Sequence, residues 1–171
     1  MTEIKKVAIF GAGVMGAGIA AQVANAGIPV VLMDIAAEGD NPSAIAEGAV
    51  DNLLKTDPAP LMHKRNAGLI TPGNIDHDMA MIADCDWIIE AIIERLDLKQ
   101  SLYEKIEAAR KPGSIVSSNT STIPLAQLIE GMTERFKAGF LIAHFFNPPR
   151  YLRLLEVVAG EHTQPQAVGT I

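Results

Sequence analysis

Short apolar runs alternate with longer segments of helical spacing along most of the chain. The runs are rich in β-branched residues and predict strands over residues 6–10, 29–34, 86–93, 114–118, 138–146 and 152–158. Between them, Ala-rich or amphipathic patterns predict helices over residues 14–26, 96–109 and 124–129. The run at 86–93 is apolar almost throughout, which is typical of a parallel strand buried on both faces.

The segment between the second and third of these strands is less regular. It contains a helical pattern at residues 42–55, a shorter one at 60–67, and the sequence Thr71-Pro-Gly-Asn, which predicts a turn. We interpret this segment as a helical excursion from the sheet. The strand–helix alternation on either side of it predicts an α/β fold with a mainly parallel, doubly wound sheet.

A glycine-rich turn joins the first predicted strand to the first predicted helix. Its sequence, Gly11-Ala12-Gly13-Val14-Met15-Gly16, has the GxGxxG spacing of Rossmann-type folds that bind dinucleotides. The first glycine allows a tight turn, the second lets a pyrophosphate approach the backbone, and the third lets the helix pack against the strand. The alternative is a turn whose glycines serve packing alone.

Asp34 ends the second predicted strand, 18 residues after Gly16. An acidic residue at about this distance accepts hydrogen bonds from the adenosine ribose hydroxyls, and its charge repels a 2′-phosphate. No arginine follows immediately, so the predicted cofactor is NAD rather than NADP. An ordinary strand-end aspartate in a turn is the alternative.

His144 and Glu156 lie on the last two predicted strands, on either side of the proline-containing turn after Asn147. If these strands form an antiparallel pair, the numbers of paired residues have a constant sum, and positions 144 and 156 are symmetric about residue 150. A carboxylate on one imidazole nitrogen fixes the tautomer and raises the basicity of the other nitrogen, as a general base requires. On spacing alone, a structural strand histidine is the favoured alternative.

Polar residues also follow the strands predicted at 86–93 and 114–118. Ser117-Ser-Asn-Thr-Ser121 lies beyond the carboxyl end of a strand, where ligands bind in open α/β sheets, although a plain polar turn fits the same sequence. Glu90 and Glu94 lie in and just after the preceding strand, and Lys99 on the next helix is placed to pair with Glu94 or to reach a ligand. The alternative is a solvated Glu94–Lys99 pair of small energetic value.

Charge and cysteine content exclude several classes of function. The chain has 171 residues and a formal net charge of −6, whereas nucleic-acid binding requires a basic surface. The single cysteine, Cys85, rules out an internal disulfide and a site with several thiolate ligands. His63 and His77 have no ligand neighbours in the sequence and no HExxH motif is present, so we predict no metal site. No apolar stretch reaches the roughly 20 residues that span a bilayer, so we expect a cytoplasmic chain that does not bind membranes.

The chain resembles the NAD-binding domain of L-3-hydroxyacyl-CoA dehydrogenases over residues 4–160. The resemblance rests on the turn at 11–16, Asp34, Glu90-Ala-Ile-Ile-Glu94, Ser118-Asn-Thr-Ser121, His144-Phe-Phe-Asn-Pro148 and Leu155-Glu-Val-Val158. The Ser-Asn-Thr-Ser and His-Phe-Phe-Asn-Pro strings are more specific to this family than the glycine motif is. Cys85-Asp-Trp-Ile-Ile-Glu is similar to bacterial multifunctional fatty-acid oxidation proteins.

The resemblance implies NAD-dependent oxidation of (S)-3-hydroxyacyl-CoA to 3-ketoacyl-CoA in fatty-acid β-oxidation. It implies that His144 is the base that removes the proton from the C3 hydroxyl and that Glu156 orients it. Ser121 matches a serine that contacts both the substrate and the nicotinamide. The matches to residues that contact NAD are Glu94, Lys99 and Asn147.

Two features of the family have no full counterpart in this sequence. Alignment on Gly48 places Asn52 where the family has a serine that touches CoA, and the family's CoA-contacting lysine has no clear counterpart. The family also has a C-terminal helical domain that closes the cleft and usually forms a homodimer. The resemblance therefore implies an NAD-binding domain at residues 1–160, with 161–171 a linker or the truncated start of the helical domain.

We accordingly expect the chain alone to be weakly active or inactive. Two other functions stay open. One is a catalytically inert nucleotide-binding module, and the other is a dehydrogenase of the same fold that acts on another hydroxy acid.

Overall fold

Seven strands form one sheet in the computed structural model, which describes residues 3–171. In chain order they are β1 (Val7–Phe10), β2 (Val30–Asp34), β3 (Ile70–Asn74), β4 (Trp87–Glu90), β5 (Ile115–Ser118), β6 (Phe140–Phe145) and β7 (Leu155–Ala159). The order across the sheet is β3-β2-β1-β4-β5-β6-β7, and all neighbours are parallel except the antiparallel pair β6–β7. The predicted doubly wound sheet with an antiparallel pair at its C-terminal end is confirmed.

Helices cover both faces of this sheet. Within residues 3–171 the α-helices are α1 (Val14–Asn25), α2 (Ala44–Leu53), α3 (Leu96–Ala109), α4 (Leu125–Leu128), α5 (Glu134–Ala138) and α6 (Pro165–Thr170), with 3-10 helices at Lys64–Leu69 and Met79–Ile82. Gly27 follows the end of α1 with φ +81°, the left-handed conformation that glycine adopts without strain. The helix predicted over residues 14–26 thus ends just before this glycine.

The side chains of β1 alternate between two hydrophobic cores. Val7 and Ile9 pack with α1 on one face of the sheet, whereas Ala8 and Phe10 pack with Tyr103 of α3 on the other. All five side chains are fully buried because helices cover both faces at the centre of the sheet. Removal of these apolar side chains from water stabilises the central strands of the sheet.

The predicted turn at Thr71–Asn74 is wrong, because these residues belong to strand β3. Pro72 pairs with Leu32 of β2, and β3 lies at the edge of the sheet. An edge strand has a neighbour on one side only, so a proline that lacks the N–H group is tolerated there. Ile70 is buried and anchors the strand to the first core.

Other differences concern element ends and short helices. The strand predicted at 86–93 ends at Glu90, and the helix predicted at 60–67 is instead the 3-10 helix Lys64–Leu69. Helix α5 was not predicted; the side chain of its N-cap residue Thr133 accepts a hydrogen bond from the backbone N–H of Phe136. Residues 165–170 form α6, and its Ala167 is buried against the first core.

Candidate active site

The predicted site residues lie along one edge of the sheet, at the carboxyl ends of its parallel strands. The strand order reverses between β1 and β4, since the chain adds β2 and β3 on one side of β1 and the later strands on the other. Such a switch point opens a crevice between the loops that leave the two strands, and ligands of open α/β sheets bind there.

The three motif glycines have different local surroundings. Gly11 has φ +99°, and a Cβ atom there would lie 2.5 Å from the carbonyl oxygen of Ala91, while a Cβ on Gly16 would lie 1.7 Å from the carbonyl oxygen of Gly11. A Cβ on Gly13 would meet no atom within 4 Å. Packing within the protein therefore explains Gly11 and Gly16 but not Gly13, which faces open space.

The open space at Gly13 lies in front of the N-terminus of α1. No side chain caps this helix, and its first turn contains no acidic residue. The N–H groups of the first turn and the helix dipole favour an anion at this position. A dinucleotide pyrophosphate fits both the open space and the charge.

Asp34 is held at the glycine-rich turn by two backbone hydrogen bonds. Its Oδ2 accepts from the N–H of Ala12 at 2.5 Å, and its Oδ1 accepts from the N–H of Ile35 at 2.7 Å. The carboxylate lines a cavity of about 450 Å³ together with Ile35, Ile93 and Lys105. Because Ile35 and Ile93 are each 63% exposed, the cavity offers apolar surface beside a hydrogen-bond acceptor. This combination suits adenosine, whose base packs on apolar surface and whose ribose hydroxyl groups donate hydrogen bonds to a carboxylate.

We expect the wild-type chain to bind NADH at least about tenfold more tightly than NADPH, and Asp34→Asn to reduce this preference, because the charge that repels a 2′-phosphate is removed. Calorimetric titration with both cofactors measures the two affinities. Asp51→Asn, an equal charge change at an exposed position of α2, is the control and should leave the preference unchanged. Equal or tighter NADPH binding by the wild-type chain would contradict the role of Asp34.

His144 and Glu156 form the pair that the sequence predicts. The two residues are directly opposite each other in the antiparallel β6–β7 pair, and Nδ1 of His144 lies 2.9 Å from Oε2 of Glu156. With its proton on Nδ1, the ring donates a hydrogen bond to this carboxylate. The second ring nitrogen, Nε2, then carries the lone pair. The side chain of His144 is 20% exposed, which leaves the ring accessible from the cleft.

Glu94 is tied to the loop that follows β5. Its Oε1 accepts hydrogen bonds from the hydroxyl groups of Thr120 and Thr122, on either side of Ser121. Burial acts to raise the pKa of Glu94, but these hydroxyl groups and the charge of Lys99 outweigh burial, so its pKa lies below the usual value. Glu94 is therefore a carboxylate at neutral pH.

Lys99 is buried, so the alternative of a solvated Glu94–Lys99 pair is wrong. Its side chain is only 1% exposed, and Nζ lies 2.5 Å from Oε1 of Glu90 and 3.2 Å from Oε2 of Glu94. Sequence reasoning placed Glu90 near the end of a strand but did not identify it as the main partner of Lys99. Its place within a continuous apolar run was the available indication, because a buried carboxylate requires a partner.

One cavity brings together two of the predicted catalytic residues and several of the predicted cofactor contacts. It has a volume of about 390 Å³ and is lined by Met15, Glu94, Lys99, Ser121, His144 and Asn147. Gly13 and Asp34 line the neighbouring 450 Å³ cavity, and Ala91 and Ile92 line both. Most of the predicted site residues thus line two adjoining parts of one crevice, whereas Glu156 lines neither part and contacts His144 instead.

A third cavity, which sequence reasoning missed, lies on the other side of the glycine-rich turn. It has a volume of about 490 Å³ and is lined in part by Gly13, Asn52, Lys55 and Asn147. Its far walls are held together by Arg150, whose guanidinium donates to the carbonyl oxygens of Ala59 and Leu61. The excursion after β2 thereby contributes a wall of the cleft.

The described residues contain neither a metal-binding cluster nor a membrane-spanning helix. Within residues 3–171, no group of three or more His, Cys, Asp and Glu side chains is arranged to hold a metal ion. Over the same residues, no helix combines the length and the apolar character needed to cross a membrane.

Comparison with known proteins identifies the relatives of this chain. Residues 6–171 match the family model described as 3-hydroxyacyl-CoA dehydrogenase, NAD binding domain. A probable 3-hydroxyacyl-CoA dehydrogenase of Deinococcus radiodurans is 52% identical over 168 residues, which cover 97% of this chain and 48% of that protein. A putative fatty acid oxidation complex trifunctional enzyme of Rickettsia felis is 49% identical over 91% of this chain and 22% of its own length.

The fold comparison agrees with the sequence comparison. The crystal structure of 3-hydroxybutyryl-CoA dehydrogenase from Escherichia coli matches with a TM-score of 0.83 and 28% sequence identity, over 98% of this chain and 35% of that one. The chain therefore spans about half the length of one curated relative and less of the other two proteins.

Proposed function

Because the chain belongs to the 3-hydroxyacyl-CoA dehydrogenase family as its NAD-binding domain, we propose that it carries the cofactor site and the catalytic base for oxidation of (S)-3-hydroxyacyl-CoA to 3-ketoacyl-CoA in fatty-acid β-oxidation. The observation that carries this proposal is the 2.9 Å contact between His144 and Glu156 in a cleft lined by Ser121 and Asn147. A paired imidazole beside a dinucleotide site is the arrangement that alcohol oxidation by hydride transfer requires.

In the proposed reaction, Nε2 of His144 removes the proton from the C3 hydroxyl of the substrate. The Glu156 carboxylate stabilises the imidazolium that forms and keeps the ring in the reactive orientation. Ser121 and Asn147 orient the substrate oxygen and the carboxamide of the cofactor. The glycine-rich turn and Asp34 would hold NAD, which would supply a hydride acceptor for C3. In the reverse direction, His144 returns its proton to the oxygen of the ketone.

We assign the acyl-CoA to the 490 Å³ cavity beside the glycine-rich turn. This cavity adjoins Asn147, which also lines the cavity that contains His144. Asn52 and Lys55 lie on its wall, and they supply an amide and one positive charge toward a CoA phosphate. Asn52 stands where the family has a CoA-contacting serine, and Lys55 adds the cation that the sequence alignment does not place.

We further propose that the active enzyme contains polypeptide beyond this domain. The relatives are about two to five times as long as the matched segment. Large apolar side chains near β7 are exposed, including Tyr151, Leu154 and Val158. A helical domain that covers this end of the sheet would bury them and close the cleft over the substrate.

The cytoplasm is the proposed location.

The chain alone is expected to oxidise NADH with acetoacetyl-CoA slowly or not at all, because the cleft is open to water. The loss of NADH absorbance measures the rate, and the chain fused to the C-terminal half of the Deinococcus relative is the comparison. A rate for the chain alone that equals that of the fusion would show that the second domain is dispensable.

The same assay tests the two alternative functions. NADH binding without turnover by either protein would favour an inert nucleotide-binding module. Turnover of a free hydroxy acid, with none of acetoacetyl-CoA, would favour a dehydrogenase of the same fold with another substrate.

A further inference from the structure

A buried charge cluster lies beneath the cavity that contains His144. It consists of Glu90, Lys99 and Glu94, which we call the acidic triad. The Lys99 ammonium lies between the two carboxylates, 2.5 Å from Glu90 and 3.2 Å from Glu94. The side chains of Glu90 and Lys99 are 0% and 1% exposed, whereas that of Glu94 is 40% exposed and lines the cavity.

Four hydrogen-bond donors surround the buried carboxylate of Glu90. Its Oε1 accepts from Nζ of Lys99 and from the backbone N–H of Ile92, and its Oε2 accepts from the hydroxyl groups of Tyr103 and Ser118. Burial first, and then the charge of Glu90, raise the pKa of Tyr103 well above its usual value, so this hydroxyl remains a donor. Both oxygens of the buried carboxylate are thus hydrogen-bonded, and one of the donors is the Lys99 ammonium.

The acidic triad therefore contains two negative charges and one positive charge, which gives it a net charge of −1. Glu90 compensates the charge of Lys99 inside the protein, and the charge of Glu94 is left facing the cavity. In a partly buried site, a unit charge acts on a ligand charge much more strongly than it does in water. The triad thus supplies a negative potential in the cavity lined by Ser121 and Asn147, where the proposed function has the carboxamide and hence the nicotinamide ring of the cofactor.

We infer that Glu90, which touches neither cofactor nor substrate, is a positioning residue that biases the site toward the oxidised form of the cofactor. The nicotinamide ring is cationic in NAD⁺ and neutral in NADH, so a negative potential stabilises the oxidised form relative to the reduced form. Without the charge of Glu90, Lys99 would compensate Glu94 and the bias would be lost. The inference rests on the proposed placement of the nicotinamide.

Glu90→Gln is the test variant, because it removes the charge and keeps the shape. Glutamine retains an acceptor for Lys99 and Ile92, and the hydroxyl groups of Tyr103 and Ser118 can turn to accept from its amide. We expect the ratio of the Kd for NAD⁺ to the Kd for NADH to rise by about fivefold. NADH fluorescence gives one Kd directly, and displacement of NADH by NAD⁺ gives the other.

Two further variants separate charge from structure. Tyr103→Phe removes one hydrogen bond to Glu90 without a change of charge, and the ratio should stay within twofold of the wild-type value. Glu94→Gln removes the exposed charge of the acidic triad, and its ratio should rise at least as much as that of Glu90→Gln. If Glu90→Gln does not fold, Glu94→Gln still tests whether the net charge of the acidic triad sets the ratio of the two Kd values.

The inference is overturned if Glu90→Gln weakens both cofactor forms equally, since a purely structural role predicts that result. An unchanged ratio in Glu94→Gln overturns it as well. Failure of the wild-type chain to bind either form is a different outcome: it would contradict the proposed cofactor site itself, and the inference would fall with it.

Discussion

The His144→Asn variant is expected to reduce acetoacetyl-CoA about 1,000-fold more slowly than the parent chain, because a positioned general base contributes about 10²–10⁴-fold to the rate. Asparagine retains an amide N–H near the position of Nδ1, which can still donate to Glu156, but it has no atom that accepts the substrate proton at neutral pH. NADH affinity should change less than threefold, since the base acts on the substrate.

The rate of this variant is best measured with protein in excess over NADH, so that slow turnover is detected, and in parallel in the fusion to the Deinococcus C-terminal half. His63→Asn, at an exposed position that lines none of the three cavities, is the matched control and should retain the parent rate. If His144→Asn kept more than a third of the parent rate, the alternative of a structural strand histidine would be correct.

The pairing of His144 with Glu156 could be predicted because the residue numbers of paired positions in two antiparallel strands have a constant sum. Once the turn after Asn147 is fixed, each residue of β6 has one partner on β7, and side chains on paired positions point to the same face. The prediction needed no knowledge of the rest of the fold. What the pair does chemically depends on the cleft around it, which spacing alone does not define.

The partners of Glu90 could not be predicted in this way. Lys99, Tyr103 and Ser118 are 9, 13 and 28 residues away in sequence, on α3 and β5. Their meeting depends on how α3 packs against the carboxyl end of β4, and hydrophobic periodicity specifies which face of the helix is buried but not which atoms meet. Sequence reasoning therefore identified a carboxylate in a buried strand without its counter-ion.

The same limit explains the fold errors. Helix α3 was predicted with its observed ends because its apolar spacing is regular over fourteen residues. Strand β3 was predicted as a turn because Pro72 and Gly73 have high turn propensity, and only the position of the strand at the sheet edge makes them acceptable. Local propensity fails where tertiary context decides.

Two alanine substitutions in the glycine-rich turn should have opposite consequences for stability and binding. In Gly16→Ala, the new Cβ would lie 1.7 Å from the carbonyl oxygen of Gly11, and neither backbone segment can move without disturbing the join between β1 and α1. We expect a loss of about 3 kcal/mol in the free energy of unfolding, as for other overpacked sites. Urea denaturation measures it.

In Gly13→Ala, the new Cβ meets no protein atom within 4 Å, and the backbone has φ −68° and ψ −172°, which alanine adopts freely. The free energy of unfolding should change by less than about 1 kcal/mol, the small cost of alanine at a helix N-cap. NADH affinity should nevertheless fall on the order of 100-fold, because the methyl group occupies the space that the pyrophosphate must enter.

Gly48→Ala completes the comparison, since a Cβ added to this glycine of α2 would also meet no atom within 4 Å, and the residue lies inside a helix. It should raise the free energy of unfolding by about 0.5–1 kcal/mol and leave NADH affinity unchanged. The three variants together distinguish a glycine needed by the fold from one needed by the ligand. Unchanged NADH affinity in Gly13→Ala would mean that the turn serves packing alone and that the cofactor phosphates lie elsewhere.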